Sequence, residues 1–264
     1  MAEDNLKEIN LEEAIEHSLI TQGGYQKGNP ANFDRKLALD TETLLNFIKT
    51  TQPKAWKRYQ THYPVNPEEC FISNLCKAIK DNGLLKCLRK PFQDRGVKFY
   101  LCYFKPESHI NQEAVDLYNQ NILHCTRQLH YSLSNENSID IVLFLNGIPL
   151  VSMELKNQFT GQDYSNAISQ YKFDRAGKDA IFEFKNRVLV HFAVDLYNVY
   201  MTTKLQGDST YFLPFNQGSN GAGNVGGKGN PVNPMVLQHL IFGRKSLLKI
   251  VLWKLCKNIC ICKL

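Results

Sequence analysis

Two strand-like runs joined by Asn146-Gly147 carry charges that a buried hairpin does not tolerate without a reason. The outgoing run is Ile139-Asp140-Ile141-Val142-Leu143-Phe144-Leu145, and the return run is Leu150-Val151-Ser152-Met153-Glu154-Leu155-Lys156. β-Branched and bulky apolar residues dominate both, as in strands buried in a sheet. Asn-Gly between such runs is a strong hairpin signal. Side chains alternate along a strand, so Glu154 and Lys156 share one face while Met153 and Leu155 point to the other.

Register decides whether the charges meet. A simple two-residue loop at Asn146-Gly147 places Asp140 opposite Met153 and turns Glu154 away from it. A three-residue loop of Asn146, Gly147 and Ile148, with Gly147 in the left-handed conformation of a bulge, places Asp140 opposite Glu154. Convergence of the two carboxylates therefore predicts a bulged turn at Asn146–Ile148.

Two carboxylates and an ammonium at one spot suit a metal-dependent nuclease. A hard divalent cation such as Mg²⁺ prefers oxygen ligands and keeps several waters when only one or two carboxylates hold it. Asp140 and Glu154 would supply those oxygens, and the carbonyl of Leu155 could add a third. Such a cation lowers the pKa of a bound water and neutralises charge on a phosphoryl oxygen. Lys156 would then orient the water or steady the developing charge. The same residues admit a plainer reading: Asp140 at an exposed strand end, with Glu154 and Lys156 as a solvated pair worth little. On spacing alone the two readings stand level.

At 264 residues the chain is long enough to bury a sizeable core. Its formal charge of +6 is no sign of a generally basic surface. No Asp or Glu follows Asp208, whereas Lys228, Arg244, Lys245, Lys249, Lys254, Lys257 and Lys263 do, so the preceding residues are close to neutral. Acids near the N-terminus and the lack of an apolar core there exclude a secretory signal, and the expected location is the cytoplasm. Cys70, Cys76, Cys87, Cys102 and Cys125 lack paired metal spacing and are expected as free thiols. Cys256, Cys260 and Cys262, with His239 upstream, match no standard zinc spacing.

The rest of the chain alternates helical and strand patterns. Asn10 and Glu13 form a capping-box pattern before Leu11, Ala14, Ile15 and Leu19, and Gly23-Gly24 closes that helix. Its Glu13 and Glu16 are expected in solvent, although one acid here could approach a metal. Further helices are predicted from Asp40, from Pro53 with Trp56 and Tyr59, from Pro67 to Ile79, over Leu84–Arg89 and over Asn111–Asn119. Strands are predicted over Gly96–Phe104, Ile122–Tyr131, Val188–Val194, Val199–Thr203 and Tyr211–Phe215. After Lys156, Thr160 and Asp163 cap a helix with Tyr164, Ala167, Ile168 and Tyr171 on its inner face. Asn216–Pro234 is rich in Gly, Asn and Pro and reads as a linker. Its Gly227-Lys228 is no phosphate loop, because Ala222 and Gly229 stand where that motif needs Gly and Ser or Thr.

The stretches FDRKLALD, FIKTTQPKAW, DRGVKFYLCYFKP, TRQLHYS, NENSIDIVLFLNGIPLVSMELKN and RVLVHFAVDLYNVYMTTKL resemble the N-terminal part of the restriction subunit of type I restriction–modification enzymes. The likeness spans about residues 1–234. It implies an α/β fold of the PD-(D/E)xK nuclease type: a mixed central sheet flanked by helices, with an N-terminal helical elaboration. The family's first acid maps onto Asp140 and its E-x-K onto Glu154 and Lys156. Of the Q-x-x-x-Y motif many members carry, only Gln170 maps as a DNA contact, since Asp174 stands at the Tyr position. The resemblance further implies Mg²⁺, DNA as substrate, methyltransferase and specificity subunits as partners, and no membrane. ATP would serve only a translocase that this chain lacks.

These readings divide the chain into a nuclease-like unit over 1–215, a linker over 216–234 and a tail over 235–264. The tail is acid-free, rich in Leu, Ile, Lys and Cys, and does not resemble the family. It is expected to arise from a reading frame that ends early, in preference to a membrane- or partner-binding amphipathic helix. The expected activity is hydrolysis of DNA phosphodiester bonds. Two rivals accompany it: an inactive remnant, and a non-enzymatic module that docks a methyltransferase core.

Overall fold

The computed structural model describes residues 2–106, 111–157, 161–175, 179–195 and 198–215, the first nine of them by backbone alone. The linker and tail expectations, with Cys256, Cys260 and Cys262, lie outside the described residues, as does the Thr160 half of the expected capping pair. In chain order, α1 (Ala2–Thr21) and β1 (Gln26–Lys27) precede a small hairpin of β2 (Phe33–Asp34) and β3 (Leu39–Asp40). Four helices follow: α2 (Thr41–Thr51), α3 (Pro53–His62), α4 (Pro67–Asn82) and α5 (Leu84–Arg89). A second small hairpin, β4 (Phe92–Asp94) with β5 (Val97–Phe99), leads to α6 (Gln112–Asn119). Then come β6 (Leu123–His130), β7 (Ser138–Leu145), β8 (Ile148–Leu155), α7 (Tyr164–Ser169), β9 (Val190–Val194), β10 (Val199–Thr202) and β11 (Leu213–Pro214).

Seven strands form one mixed sheet in the order β1-β6-β7-β8-β9-β10-β11. The pairs β1–β6 and β8–β9 are parallel and the rest antiparallel. The parallel step from β8 to β9 requires a crossover, which α7 supplies. Every residue of β8 is buried, so the central strand carries apolar side chains on both faces. One core cluster joins Ile141, Leu143, Val151 and Met153 to α1 through Leu11, Ile15 and Leu19, and to α2 through Leu44, Phe47 and Ile48. The other joins Ile139, Val142 and Phe144 to Ala167, Tyr171 and Phe182. Each fully buried Val, Leu, Ile, Phe or Met side chain among them contributes about 1.5–3 kcal/mol.

The helices obey their local signals. Asp40 caps α2 by accepting from the Thr43 N–H at 2.9 Å, and Pro53 and Pro67 open α3 and α4. Gly83 ends α4 at φ 82°. Three expectations about the elements are corrected. The first helix starts at Ala2, not Asn10. The strand expected over Gly96–Phe104 is only Val97–Phe99 and pairs with β4 outside the main sheet. The turn at Asn146-Gly147 has two residues, not three, with Leu145 paired to Ile148 and positive φ at both turn residues. A right-handed twist matches that turn, which is the reason Asn-Gly prefers it.

The register shift lies further along the return strand. Phe144 pairs with Pro149 and Leu143 with Val151, so Leu150 is the extra residue of a bulge. Pro149, which lacks an N–H for the ladder, sits beside the irregularity, where proline is tolerated. Beyond it Ile141 pairs with Met153, and the next step brings Asp140 across from Glu154.

Candidate active site

Asp140 on β7 and the end of β8 are joined directly. The Asp140 Oδ2 accepts the Leu155 N–H at 2.7 Å. On the other side β6 brings Gln128 across from Asp140, because Arg127 pairs with Ile141 and Leu129 with Ile139. Gln128 takes φ 47°, an uncommon conformation for a side-chain-bearing residue within a strand. The break changes faces: Cys125 belongs to the α1-side cluster and Leu129, of the same parity, to the opposite one. The freed Gln128 amide donates to Glu12 Oε1 at 2.7 Å and more weakly to Asp140 Oδ1 at 3.4 Å. Its carbonyl accepts from Ser138 Oγ at 2.7 Å.

Glu154 is wholly buried, and its Oε1 accepts from Nε of Arg175 at 2.8 Å, with Nη2 of the same guanidinium in an ion pair at 2.8 Å. Arg175 follows a π-helical turn over Gln170–Asp174 and also donates to the Ser138 carbonyl at 2.8 Å and to the Tyr131 hydroxyl at 3.3 Å. The second oxygen of Glu154, Oε2, is buried and has no hydrogen-bond partner. Burial pushes the Glu154 carboxyl up to about 8, helped by the charge of Asp140 and opposed by Arg175 and Lys156. Burial likewise raises Asp140, against the Leu155 N–H and the charges of Lys156 and Arg175. An opposing positive charge at this spot stabilises both ionised forms.

The structure thus brings Asp140, Glu154, Leu155 and Lys156 together. Among the described residues no group of three or more His, Cys, Asp and Glu is placed to hold a metal, so the donors on hand are two carboxylates and backbone oxygen. They fit a hard cation: one buried carboxylate oxygen lacks any partner and a second carboxylate is anchored beside it. A strand residue sends its N–H and C=O to the same edge. The Leu155 carbonyl therefore leaves toward β7, as its N–H does. Gln170 caps the end of α7, and its side-chain oxygen is buried with no partner.

Glu12, Gln128 and Arg175 were not among the residues the sequence singled out. Glu13 is exposed as expected, whereas Glu16, expected in solvent, is buried, and so is Glu12. Spacing held that signal, since Glu12 and Glu16 each follow a residue of the Leu11, Ile15, Leu19 stripe, and Glu13 lies a further 100° round. Glu16 pairs instead with Arg127 at 3.1 Å. No local pattern marks Gln128, whose place depends on a broken strand.

The fold and site define a mixed α/β sheet protein with a buried acidic centre at the β7–β8 edge. Over residues 5–210 the chain matches the family described as Type I restriction enzyme R protein N terminus (HSDR_N), and it belongs to that family. No curated protein matches it. No helix among the described residues is long and apolar enough to cross a membrane.

Proposed function

We propose that Asp140, Glu154 and Lys156 hydrolyse DNA phosphodiester bonds with Mg²⁺, as the nuclease part of a type I restriction R subunit. The observation that carries this reading is the unpartnered, buried Oε2 of Glu154 beside the anchored carboxylate of Asp140. A buried carboxylate oxygen left without a partner costs a few kcal/mol, which a cation would offset. Asp140 and Glu154 hold the cation with the Leu155 carbonyl, and Lys156 faces the reacting phosphate. Bound there, Mg²⁺ supplies a water of lowered pKa and neutralises charge on the phosphoryl oxygens. Gln170 contacts DNA from the end of α7. The setting is the cytoplasm, with methyltransferase and specificity subunits as partners.

Supercoiled-plasmid cleavage and calorimetric Mg²⁺ titration of the whole chain test this, with Asp140→Asn as the variant. Asn keeps an acceptor for the Leu155 N–H and removes the charge. Loss of both cleavage and Mg²⁺ heat at an unchanged melting temperature supports the assignment. Cleavage by Asp140→Asn at the normal rate rejects it, and an intact chain that never cleaves points to a remnant or an assembly module.

A further inference from the structure

Away from the acidic centre, a cavity of about 810 Å³ lies between α5, the start of β9 and the β10–β11 edge. Its apolar floor includes Leu189, Met201 and Leu213. Lys86, Arg89, Lys90, Lys185 and Lys204 line it, with no Asp or Glu among the lining residues. Two aromatic rings join them: Phe184, with the ammonium groups of Lys185 and Lys204 at 5.1 and 5.3 Å from its centroid, and Tyr211, which is 75% exposed. Leu189 precedes Val190, which pairs with Val151, whereas Glu154 and Leu155 pair with Ala193 and Val194 at the other end of β9. The cavity is thus separate from the carboxylates by on the order of 13 Å along the strands.

We propose that this cavity is a second nucleic-acid contact, which takes one nucleotide of a single strand with its base against Tyr211 and its phosphates on Lys86, Lys185 and Lys204. Charge selects the occupant. Four lysines, Lys86, Lys90, Lys185 and Lys204, in a wall that holds no Asp or Glu call for a polyanion, and residues 216–264 carry no Asp or Glu to supply one. An acidic peptide matches the cations but not the exposed ring and apolar floor. A nucleotide matches all three, since every base has a face for stacking and single-strand sites combine basic grooves with aromatic platforms. The site extends the DNA-hydrolysing reading by adding a place to hold a strand away from the point of cutting.

Anisotropy of a fluorescein-labelled oligothymidylate of about 15 nucleotides, measured in EDTA with the whole chain, reads this site without cleavage. Combining Lys86→Glu, Lys185→Glu and Lys204→Glu should weaken binding about tenfold or more and flatten its salt dependence. Tyr211→Ala, at an exposed position that the fold does not need, should weaken the oligothymidylate several-fold but leave an abasic strand of equal length unaffected. Binding is read in EDTA, so failure of the chain to cleave plasmid leaves this result standing. Undiminished binding by the triple variant overturns the proposal, as does an oligoglutamate that binds as tightly as the oligonucleotide.

Discussion

Arg175 holds a single oxygen of Glu154, donating to it through Nε at 2.8 Å with Nη2 in an ion pair at the same distance, and leaves the other oxygen of that carboxylate without a hydrogen-bond partner. The pair is fully buried, and the same guanidinium ties the Ser138 carbonyl and the Tyr131 hydroxyl to it. One arginine therefore fixes the start of β7, the end of β6 and the end of β8 around the acidic centre. It also supplies the positive charge that offsets some of the burial cost of Glu154.

Removing one member of that pair strands the other in a dry site. Arg175→Met should destabilise the chain by about 3–5 kcal/mol, and Glu154→Gln by less, because an amide still accepts from the guanidinium. The double variant should be more stable than the sum of the single losses allows, since no unpaired charge remains. Urea unfolding of the four chains measures the coupling. Additive losses would show that the pair does not act as a unit.

Gly147 tests the turn. Its φ is 81°, and a Cβ there would collide with the Asp40 carbonyl and the Leu44 amide at the start of α2. The Gly147 carbonyl accepts the Asp40 N–H at 2.9 Å, so the hairpin tip and α2 are locked together. Gly147→Ala should cost about 1–2 kcal/mol for the left-handed backbone alone, and more for the collision. A thermal shift below about 3 °C would contradict this.

Most of the architecture was legible because its signals are local. Caps at Asp40 and Asp163, prolines at Pro53 and Pro67 and the Asn-Gly turn each act within a few residues. The face of the hairpin was legible for the same reason, as alternation puts Glu154 opposite Met153. Leu150 was not. Its bulge achieves the convergence that the sequence assigned to a longer turn, yet apolar runs look alike with or without an extra residue. Gln128 and Arg175 were hidden because their partners lie 116 and 21 residues away. The expected free thiols at Cys70, Cys76, Cys87, Cys102 and Cys125 are found unpaired by disulfides.

On the proposed reading, Lys156 is the residue that separates metal binding from turnover. Its positive charge lowers both Asp140 and Glu154, yet an ammonium cannot ligate a cation and repels one. Lys156→Ala should therefore keep Mg²⁺ affinity within a few-fold while cutting plasmid cleavage by about 10²-fold or more. Titration calorimetry and cleavage rates at saturating Mg²⁺ give the two numbers. A loss of Mg²⁺ binding equal to the loss of rate would assign Lys156 to organising the carboxylates.

His191 gives the fold a pH dependence that can be isolated. It is buried on β9, its Nδ1 lies 2.8 Å from Ser152 Oγ, and that hydroxyl meets Tyr171 Oη at 2.8 Å. Burial lowers its pKa from 6.5 to about 3. Between those values the unfolded chain binds more protons at this residue than the folded one does. The contribution is thus complete above pH 6.5 and is lost as pH falls toward about 3, at up to about 1.4 kcal/mol per pH unit. Other groups titrate in the same window, Glu154 with the opposite sign, because its raised pKa weakens the fold as pH rises. His191→Gln cannot take up a proton, so the difference between it and the unmodified chain cancels those groups. Urea unfolding at about pH 7.5, 6 and 5 should show the unmodified chain losing stability relative to His191→Gln as the pH drops. Parallel curves would mean that the imidazole accepts its proton inside the fold.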